Sequence, residues 1–402
     1  MLQGKHILVG ISGGIAAYKI PELIRALIKQ GAEVRVTTTV NALQFVTELT
    51  LQTLTNARVY SNVFAAINEH ATEHISLPDW ADLMLIAPAT ADVIGKMAVG
   101  IADDALTTTF AATVARKPVI IAPAMNDKMY ENPATRKAMV TLSEMPNVTM
   151  LDCDDGFLAC GTTGKGRMQE IDVLEEEVFK AFCNKDLAGK RVLITAGPTQ
   201  EAIDPVRYIS NHSSGKMGIA ISRECVRRGA SVTLVLGPCS IPLPYGTATK
   251  VIPVISAQQM YEVTTQIWEN QDVAILCAAV ADFTPRQTAC HKIKKTPGQE
   301  GLDLHLIETQ DIAATLGTTK TNKQRLIGFA LETQNERTNA HNKLIGKRLD
   351  LIILNSLQDE GAGFGVDTNK VTIIGKDKEN NLPLMSKPEV ARKIVDAVVA
   401  IQ

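Results

Sequence analysis

Aromatic residues are scarce in this chain, at 4% of 402 residues. So few Phe, Trp and Tyr argue against a stacking platform for single-stranded nucleic acid. Charge of one sign is also lacking. Lys and Arg total 41 against 43 Asp and Glu, a net charge of -2, which offers no footprint for nucleic acid or a membrane surface. No apolar run reaches the length that spans a bilayer, and Met1-Leu2-Gln3-Gly4 leads into a strand-like run instead of a signal peptide. Seven cysteines, an odd number without framework spacing, point to free thiols in a reducing compartment. The expectation is a cytoplasmic protein with no nucleic-acid or membrane partner. No His/Cys group has zinc spacing, so metal ligands are left unassigned.

What is present is one grammar written twice. Lys5-His6-Ile7-Leu8-Val9-Gly10 is a short apolar run. A helix-opening segment follows to about Gln30, then Gly31 as a stop and a second strand over 33–38. The same order returns from Arg191: a strand over 191–196, a long loop, a helix over 219–228, Gly229, and a strand over 231–236. Later in each half, Leu83-Met84-Leu85-Ile86-Ala87-Pro88-Ala89-Thr90 echoes Val273-Ala274-Ile275-Leu276-Cys277-Ala278-Ala279-Val280. Both are buried parallel-type strands ending in small residues, where open α/β sheets admit ligands. The predicted fold is α/β, two doubly wound Rossmann-like domains with mainly parallel sheets. The expected division is 1–186 and 187–402, at the Lys/Asp/Gly segment near 184–189.

In the first half, Gly10-Ile11-Ser12-Gly13-Gly14 is not the GxGxxG fingerprint, and the second strand ends in Thr37-Thr38-Thr39 where a dinucleotide fold carries an acidic ribose ligand. A nicotinamide-dependent oxidoreductase is disfavoured. The order and spacing of GISGGIAAYK, EHISL, APATAD, PAMN and ACG resemble the flavin-containing cysteine decarboxylases, in the branch acting on 4'-phosphopantothenoylcysteine. The resemblance covers residues 4–182 and implies a flavodoxin-like domain with FMN held by Ser12, Gly13, Thr39, Ala87 and Thr90. It also implies His74 beside the flavin, Asn126 gripping a substrate carboxylate, and Cys160 donating a proton after oxidation and loss of CO2. Taken alone, His74 reads as a surface or capping residue and Asn126 as an Asx turn. The neighbouring Asp152, Asp154 and Asp155 disfavour a Cys160 thiolate and leave a usable proton donor. Asp103 departs from the asparagine usual in relatives.

In the second half, the loop Gly197 to Gly218, GPTQEAIDPVRYISNHSSGKMG, is rich in Ser, Asn, Gly and basic residues between a strand and a helix. Such a loop is built to hold an anion on backbone N–H groups and a helix N-terminus. It resembles the phosphopantothenate–cysteine ligase family. The resemblance implies that Asn211 turns over an acyl-nucleotide intermediate and that Lys292 neutralises phosphate charge in the transition state. It assigns nucleotide or substrate contacts to Arg207, Ser213, Ser214, Lys216, Ala278, Ala279, Asp282, Gln310, Asp311, Ile312, Ala313, Phe329, Lys343 and Lys347. Lys343 and Lys347 are expected on one face of a helix, and Asn355 after a strand over 349–354.

The implied chemistry is two successive steps. CTP, with Mg2+, activates 4'-phosphopantothenate as an acyl-cytidylate, cysteine's amine forms the amide, and the product is decarboxylated to 4'-phosphopantetheine. Relatives of the first half form trimers and those of the second half dimers, so a homo-oligomer as large as a dodecamer is expected. A non-catalytic flavin-binding regulator is the alternative. Such proteins usually lose part of the His74, Asn126 and Cys160 set.

Overall fold

Apolar spacing writes the first helix. Ile20, Leu23, Ile24 and Leu27 recur at helical intervals and are all fully buried. Pro21 opens this helix, and Gly31, at φ 95°, turns the chain away after it. Each buried leucine or isoleucine contributes about 1.5–3 kcal/mol from surface removed from water. The computed structural model describes residues 2–64, 73–157, 161, 163–295, 301–356, 363 and 365–401. The chain separates into two compact units, Met1–Phe182 and Cys183–Gln402.

In the first unit the strands are β1 (His6–Ile11), β2 (Glu33–Thr38), β3 (Val59–Tyr60), β4 (Leu83–Ala89), β5 (Val119–Pro123) and β6 (Val148–Met150). They form one parallel sheet in the order β3-β2-β1-β4-β5-β6. This is the doubly wound Rossmann order, with its switch point between β1 and β4. The flavodoxin-like expectation holds for the layered parallel architecture, while the order has one more strand beyond β1 than flavodoxin's 2-1-3-4-5. Helices α1 (Ile20–Lys29), α2 (Glu48–Thr55), α3 (Glu73–Trp80), α4 (Ala91–Val99), α5 (Ala105–Thr113), α6 (Asp127–Glu131), α7 (Pro133–Ser143) and α8 (Ile171–Phe182) accompany it. Because alternate side chains leave a strand on opposite faces, Ile7, Val9 and Ile11 join the cluster with α1 and α8. Leu8 joins the one with α4, α5 and α7. A hairpin, β7 (Asp154–Phe157) with β8 (Thr163–Arg167), precedes α8.

The second unit repeats the plan and extends it. Strands β9 (Arg191–Ala196), β10 (Gln200–Ala202), β11 (Tyr208–Ser210), β12 (Ser231–Leu236), β13 (Lys250–Pro253), β14 (Val273–Leu276), β15 (Phe283–Pro285), β16 (Leu306–Glu308), β17 (Arg325–Glu332), β18 (Leu351–Ser356), β19 (Thr368–Asn369), β20 (Val371–Ile374), β21 (Glu379–Asn381) and β22 (Met385–Ser386) occur in chain order. The main sheet runs β13-β12-β9-β14-β17-β18-β20-β21, parallel as far as β18 and antiparallel beyond. Its helices are α9 (Lys216–Arg227), α10 (Ala257–Trp268), α11 (Ile312–Thr319), α12 (Glu336–Gly346) and α13 (Lys387–Ala400). The long loop after β9 is not irregular throughout, because β10 and β11 pair antiparallel inside it. The helix after it begins at Lys216, three residues before the sequence pattern indicates, because its first turn packs tightly on β9. A side chain at Gly218 would meet the Ala196 Cβ at 2.4 Å.

Candidate functional site

At the carboxyl edge of the first sheet lies a cavity of about 930 Å³, within the usual size range for a small-molecule site. Gly13, Thr39, Thr90 and Asn126 line it, with Tyr18, Met125, Met129, Met168 and Arg167. The turn after β1 must be bare of side chain here: a Cβ on Gly13 would sit 2.5 Å from that of Asn41. Among the described residues the hydroxyls of Thr37, Thr38 and Thr39 are buried without a hydrogen-bond partner, and of the three Thr39 is on the cavity wall. Orphaned buried hydroxyls are costly and point to a bound polar group. A flavin with its phosphate suits this mixture of an orphaned Thr39 hydroxyl, a glycine cradle and apolar walls.

Ser12 and Ala87 are placed differently from expectation. Both are fully buried and neither lines the cavity. The Ser12 hydroxyl donates to the Pro88 carbonyl at 2.7 Å and accepts the Thr90 N–H at 2.9 Å. It therefore stitches β1 to β4 across the switch point and positions Thr90. Ala87 points into the core cluster beneath the sheet.

Asn126 serves two purposes. Its Oδ1 caps α6 by accepting the Lys128 N–H at 3.0 Å, and the residue lines the cavity. His74 lies in the first turn of α3, half-buried, and is not among the lining residues. Cys160 falls outside the described residues. Asp152, expected to act on it, is committed elsewhere. It accepts the Tyr130 hydroxyl at 2.5 Å and pairs with Lys165. Burial raises the Asp152 pKa, but Lys165 and Tyr130 more than offset this and hold it below the usual carboxylate value. Burial, with Asp152 second, pushes the neighbouring Cys153 thiol up to about 12. Asp103 pairs with Lys96 at 3.2 Å, and it is Lys96 that lines the cavity. Arg167, missed in the sequence, pairs with Glu170. Its signal was the Gly164-Lys165-Gly166-Arg167 run, whose glycines let β8 lie against the 125–127 turn.

The second unit holds a cavity of about 790 Å³ at the same edge of its sheet. Asn211, Ser213 and Ser214 enter from the loop after β9, Lys216 from the first position of α9, and Ala278, Ala279 and Asp282 from the turn after β14. Gln310, Asp311, Ile312 and Ala313 come from the start of α11, Phe329 from β17, and Lys343 and Lys347 from the end of α12. The β14 turn is fixed by hydroxyls. Thr195 accepts the Ala278 N–H at 3.3 Å, Thr199 that of Ala281 at 3.0 Å, and Thr309 donates to the Ala281 carbonyl at 2.6 Å. Asn211 Nδ2 donates to the carbonyls of Ala279 and Val280, both at 3.1 Å. Lys343 pairs with Glu332 at 2.6 Å and Lys347 with Asp311 at 2.7 Å. Burial raises the Asp311 pKa, but Lys347 and the Ala314 and Ala313 amides overcome this and leave it lowered. Lys347 lies just past the helix, as the C-cap of α12. Asn355 falls within β18, because that strand is displaced two residues from its expected bounds; its Oδ1 is buried without a partner among the described residues.

Arg207 and Lys292 are not among the lining residues. Arg207 is held by Asp204, a buried carboxylate that also accepts the N–H groups of Val206 at 2.8 Å, Arg207 at 2.9 Å and Ile293 at 3.1 Å. The Arg207 guanidinium in turn donates to the Ile293 carbonyl at 2.8 Å. The pair thus braces the segment that carries Lys292, which is exposed. Sequence missed Lys387, a buried lysine on the cavity wall. It lies far beyond the quoted motifs, and no local pattern marks it.

Two doubly wound units, one with a cavity suited to a flavin and one lined with lysines for an anion, define a two-site, small-molecule-binding α/β protein. Residues 1–182 match the flavoprotein family model, and residues 187–401 match the C-terminal domain of DNA/pantothenate metabolism flavoproteins. The coenzyme A biosynthesis bifunctional protein CoaBC of Bacillus subtilis is 46% identical over 100% of this chain and 98% of its own length. That of Vibrio cholerae is 44% identical over 99% of this chain and 98% of its own. A protein of an unknown prokaryote named cysteine/cysteine sulfinic acid decarboxylase is 47% identical over 89% of this chain and 99% of its own. The chain belongs to the family of bifunctional coenzyme A biosynthesis flavoproteins. Among the described residues no helix is long and apolar enough to cross a membrane.

Proposed function

We propose that the chain is a two-step enzyme of coenzyme A biosynthesis. The second unit would join 4'-phosphopantothenate to cysteine at the expense of CTP, and the first would decarboxylate the product to 4'-phosphopantetheine. The observation that carries this reading is the pair of unlike cavities at the same sheet edge. One offers a bare glycine turn and the orphaned Thr39 hydroxyl, and the other gathers Lys216, Lys343 and Lys347 around a helix N-terminus.

In the second unit, Ser213, Ser214, Lys216 and the first N–H groups of α9 would hold phosphate oxygens. Lys343 and Lys347 would exchange their carboxylate partners for the nucleotide. The substrate carboxylate attacks the α-phosphorus, pyrophosphate leaves, and the amine of cysteine displaces CMP from the acyl-cytidylate. Asn211 stands beside the Ala279–Val280 carbonyls, where it would orient that intermediate. Lys292, held on the segment braced by Asp204 and Arg207, would stabilise charge developing on the leaving phosphates. Mg2+ would travel with CTP on its phosphates, as this ion usually does.

In the first unit, Thr39, Thr90 and the Gly13 turn would hold FMN, which when bound supplies reversible two-electron oxidation of the substrate. Asn126 would orient the substrate carboxylate by N–H donation without a buried countercharge. Cys160 would deliver the proton to the carbon that loses CO2. His74, outside the cavity of its own unit, would reach a flavin through a neighbouring copy of the chain, consistent with a homo-oligomer.

Mass spectrometry of a mixture of 4'-phosphopantothenate, cysteine, CTP and Mg2+ tests the reading. Formation of 4'-phosphopantetheine, CO2 and CMP supports it. Arrest at 4'-phosphopantothenoylcysteine removes the decarboxylase half. A yellow protein that makes neither product points instead to the regulator. The relative named for cysteine and cysteine sulfinic acid supplies a second substrate reading, and turnover of those free amino acids in preference to the acylated cysteine would replace the first.

A further inference from the structure

We propose that Lys387 is a positioning residue of the second cavity: it fixes the 365–369 strap so that Asp367 holds Lys216 at the polyphosphate end of a bound nucleotide. The inference rests on reading that cavity as a nucleoside triphosphate site.

Lys387 opens α13 and is 6% exposed. Its ammonium donates to three backbone carbonyls, those of Val366, Thr368 at 3.2 Å and Gly363 at 3.4 Å. Its backbone N–H donates to the Asp367 carbonyl at 2.9 Å. Just before it, Met385 and Ser386 pair antiparallel with Thr368 and Asn369. One residue and its ladder therefore grip the strap from the α13 side.

The α9 side grips the same strap. Lys216 Nζ donates to the Gly365 carbonyl at 3.0 Å and to Asp367 Oδ1 at 2.6 Å. Buried Asn369 donates to the Met217 sulfur at 3.7 Å. The strap thus links one cavity lysine to another, and both line the wall together with Asn369.

A buried ammonium is an expensive way to secure a loop. Its desolvation is offset by the three carbonyls it satisfies, which an apolar side chain would leave without that donor. Burial and then Lys216 depress the Lys387 pKa, against Asp367 and the Cys277 thiol, which raise it. The charge is therefore held against repulsion at a point where two helix N-termini, those of α9 and α13, converge on the cavity. An anion of high charge relieves that repulsion.

The test is a double-mutant cycle read by equilibrium titration of CTP with Mg2+, without cysteine, on the full chain. Lys387→Met should weaken CTP binding about tenfold, and Lys387→Gln, which keeps two N–H donors, should fall between it and wild type. In a Lys216→Met background, Lys387→Met should add less than about twofold, because the residue it positions is already gone. The CTP KM should follow the Kd while kcat changes less. An unchanged Kd in both Lys387→Met and Lys387→Gln overturns the proposal. So does a full tenfold loss repeated in the Lys216→Met background, which would make Lys387 independent of Lys216. Thermal melts of each variant guard against misfolding, and if Lys387→Met does not fold, the cycle is run with Lys387→Gln. Wild-type protein that binds no CTP overturns the nucleotide reading first, and this proposal falls with it.

Discussion

The two units share the six-strand order 3-2-1-4-5-6 and place their cavities at the same edge, yet they furnish them differently. In the first, the turn from β1 to the following helix is short. The walls carry Tyr18, Met125, Met129 and Met168. In the second, the turn from β9 to α9 holds a whole hairpin and delivers Asn211, Ser213, Ser214 and Lys216. A flat ring needs apolar walls and close backbone approach. A polyphosphate needs donors and cations. The parallel sheet fixes where a ligand goes, and the length and chemistry of one turn decide which ligand it is.

The comparison can be broken most severely at Cys160. Cys160→Ser should leave amide formation intact and slow release of 4'-phosphopantetheine by about 100-fold or more, the usual weight of a general acid. Loss of both activities in a folded variant would show that the units are not independent. Gly13→Ala should come next. The added Cβ meets Asn41 at 2.5 Å, and relief of such a clash costs about 1–3 kcal/mol. The variant should lose most of its flavin absorbance while keeping ligation. Lys347→Met is expected to raise the CTP KM about tenfold, a single charged contact's worth, with decarboxylation of supplied 4'-phosphopantothenoylcysteine unchanged.

A smaller effect sharpens the contrast between the turns. Asp204 is held well below the usual carboxylate range, chiefly by Arg207 and then by backbone N–H groups, against the opposing pull of burial. A carboxylate depressed in the folded state contributes stability that is present above its unfolded value, about 3.9. That contribution is lost as pH falls through the lower folded value. The β10–β11 turn should therefore loosen in acid below about pH 4. Asp204→Asn should abolish this acid dependence, followed by hydrogen exchange at Val206 and Ile293. The smallest effect concerns Cys153: with its thiol at about 12 and buried, alkylation at pH 8 should be far slower than at exposed Cys290.

Much of the fold was legible because its signals are local. The helix written by Ile20, Leu23, Ile24 and Leu27, and the strands over 33–38, 191–196 and 231–236, need only period and a glycine stop. The motifs marked residues such as Asn211, Asp282, Asp311 and Lys347, which line the second cavity. The β10–β11 hairpin was not legible, since three-residue strands carry too little pattern to read. Ser12 lies off the cavity wall for a reason the sequence could not show: a residue in a glycine-rich turn looks ligand-facing until the neighbouring strand is present to take its hydroxyl. Ala87 lies off it as a buried residue of β4.

Sequence by itself determined the two-fold repetition of the α/β plan, the resemblance of each half to one enzyme family, and some of the residues that line each cavity. Periodicity and motif spacing are properties of the chain alone. Only the tertiary structure decided that Arg207 belongs to Asp204 and Ile293, that Asp152 is taken by Tyr130 and Lys165, and that Lys387 meets Lys216 across the 365–369 strap. Hydrogen bonds and ion pairs act over a few ångströms in space, and residues 171 apart in the chain become neighbours only when the sheet brings two helix N-termini to one edge.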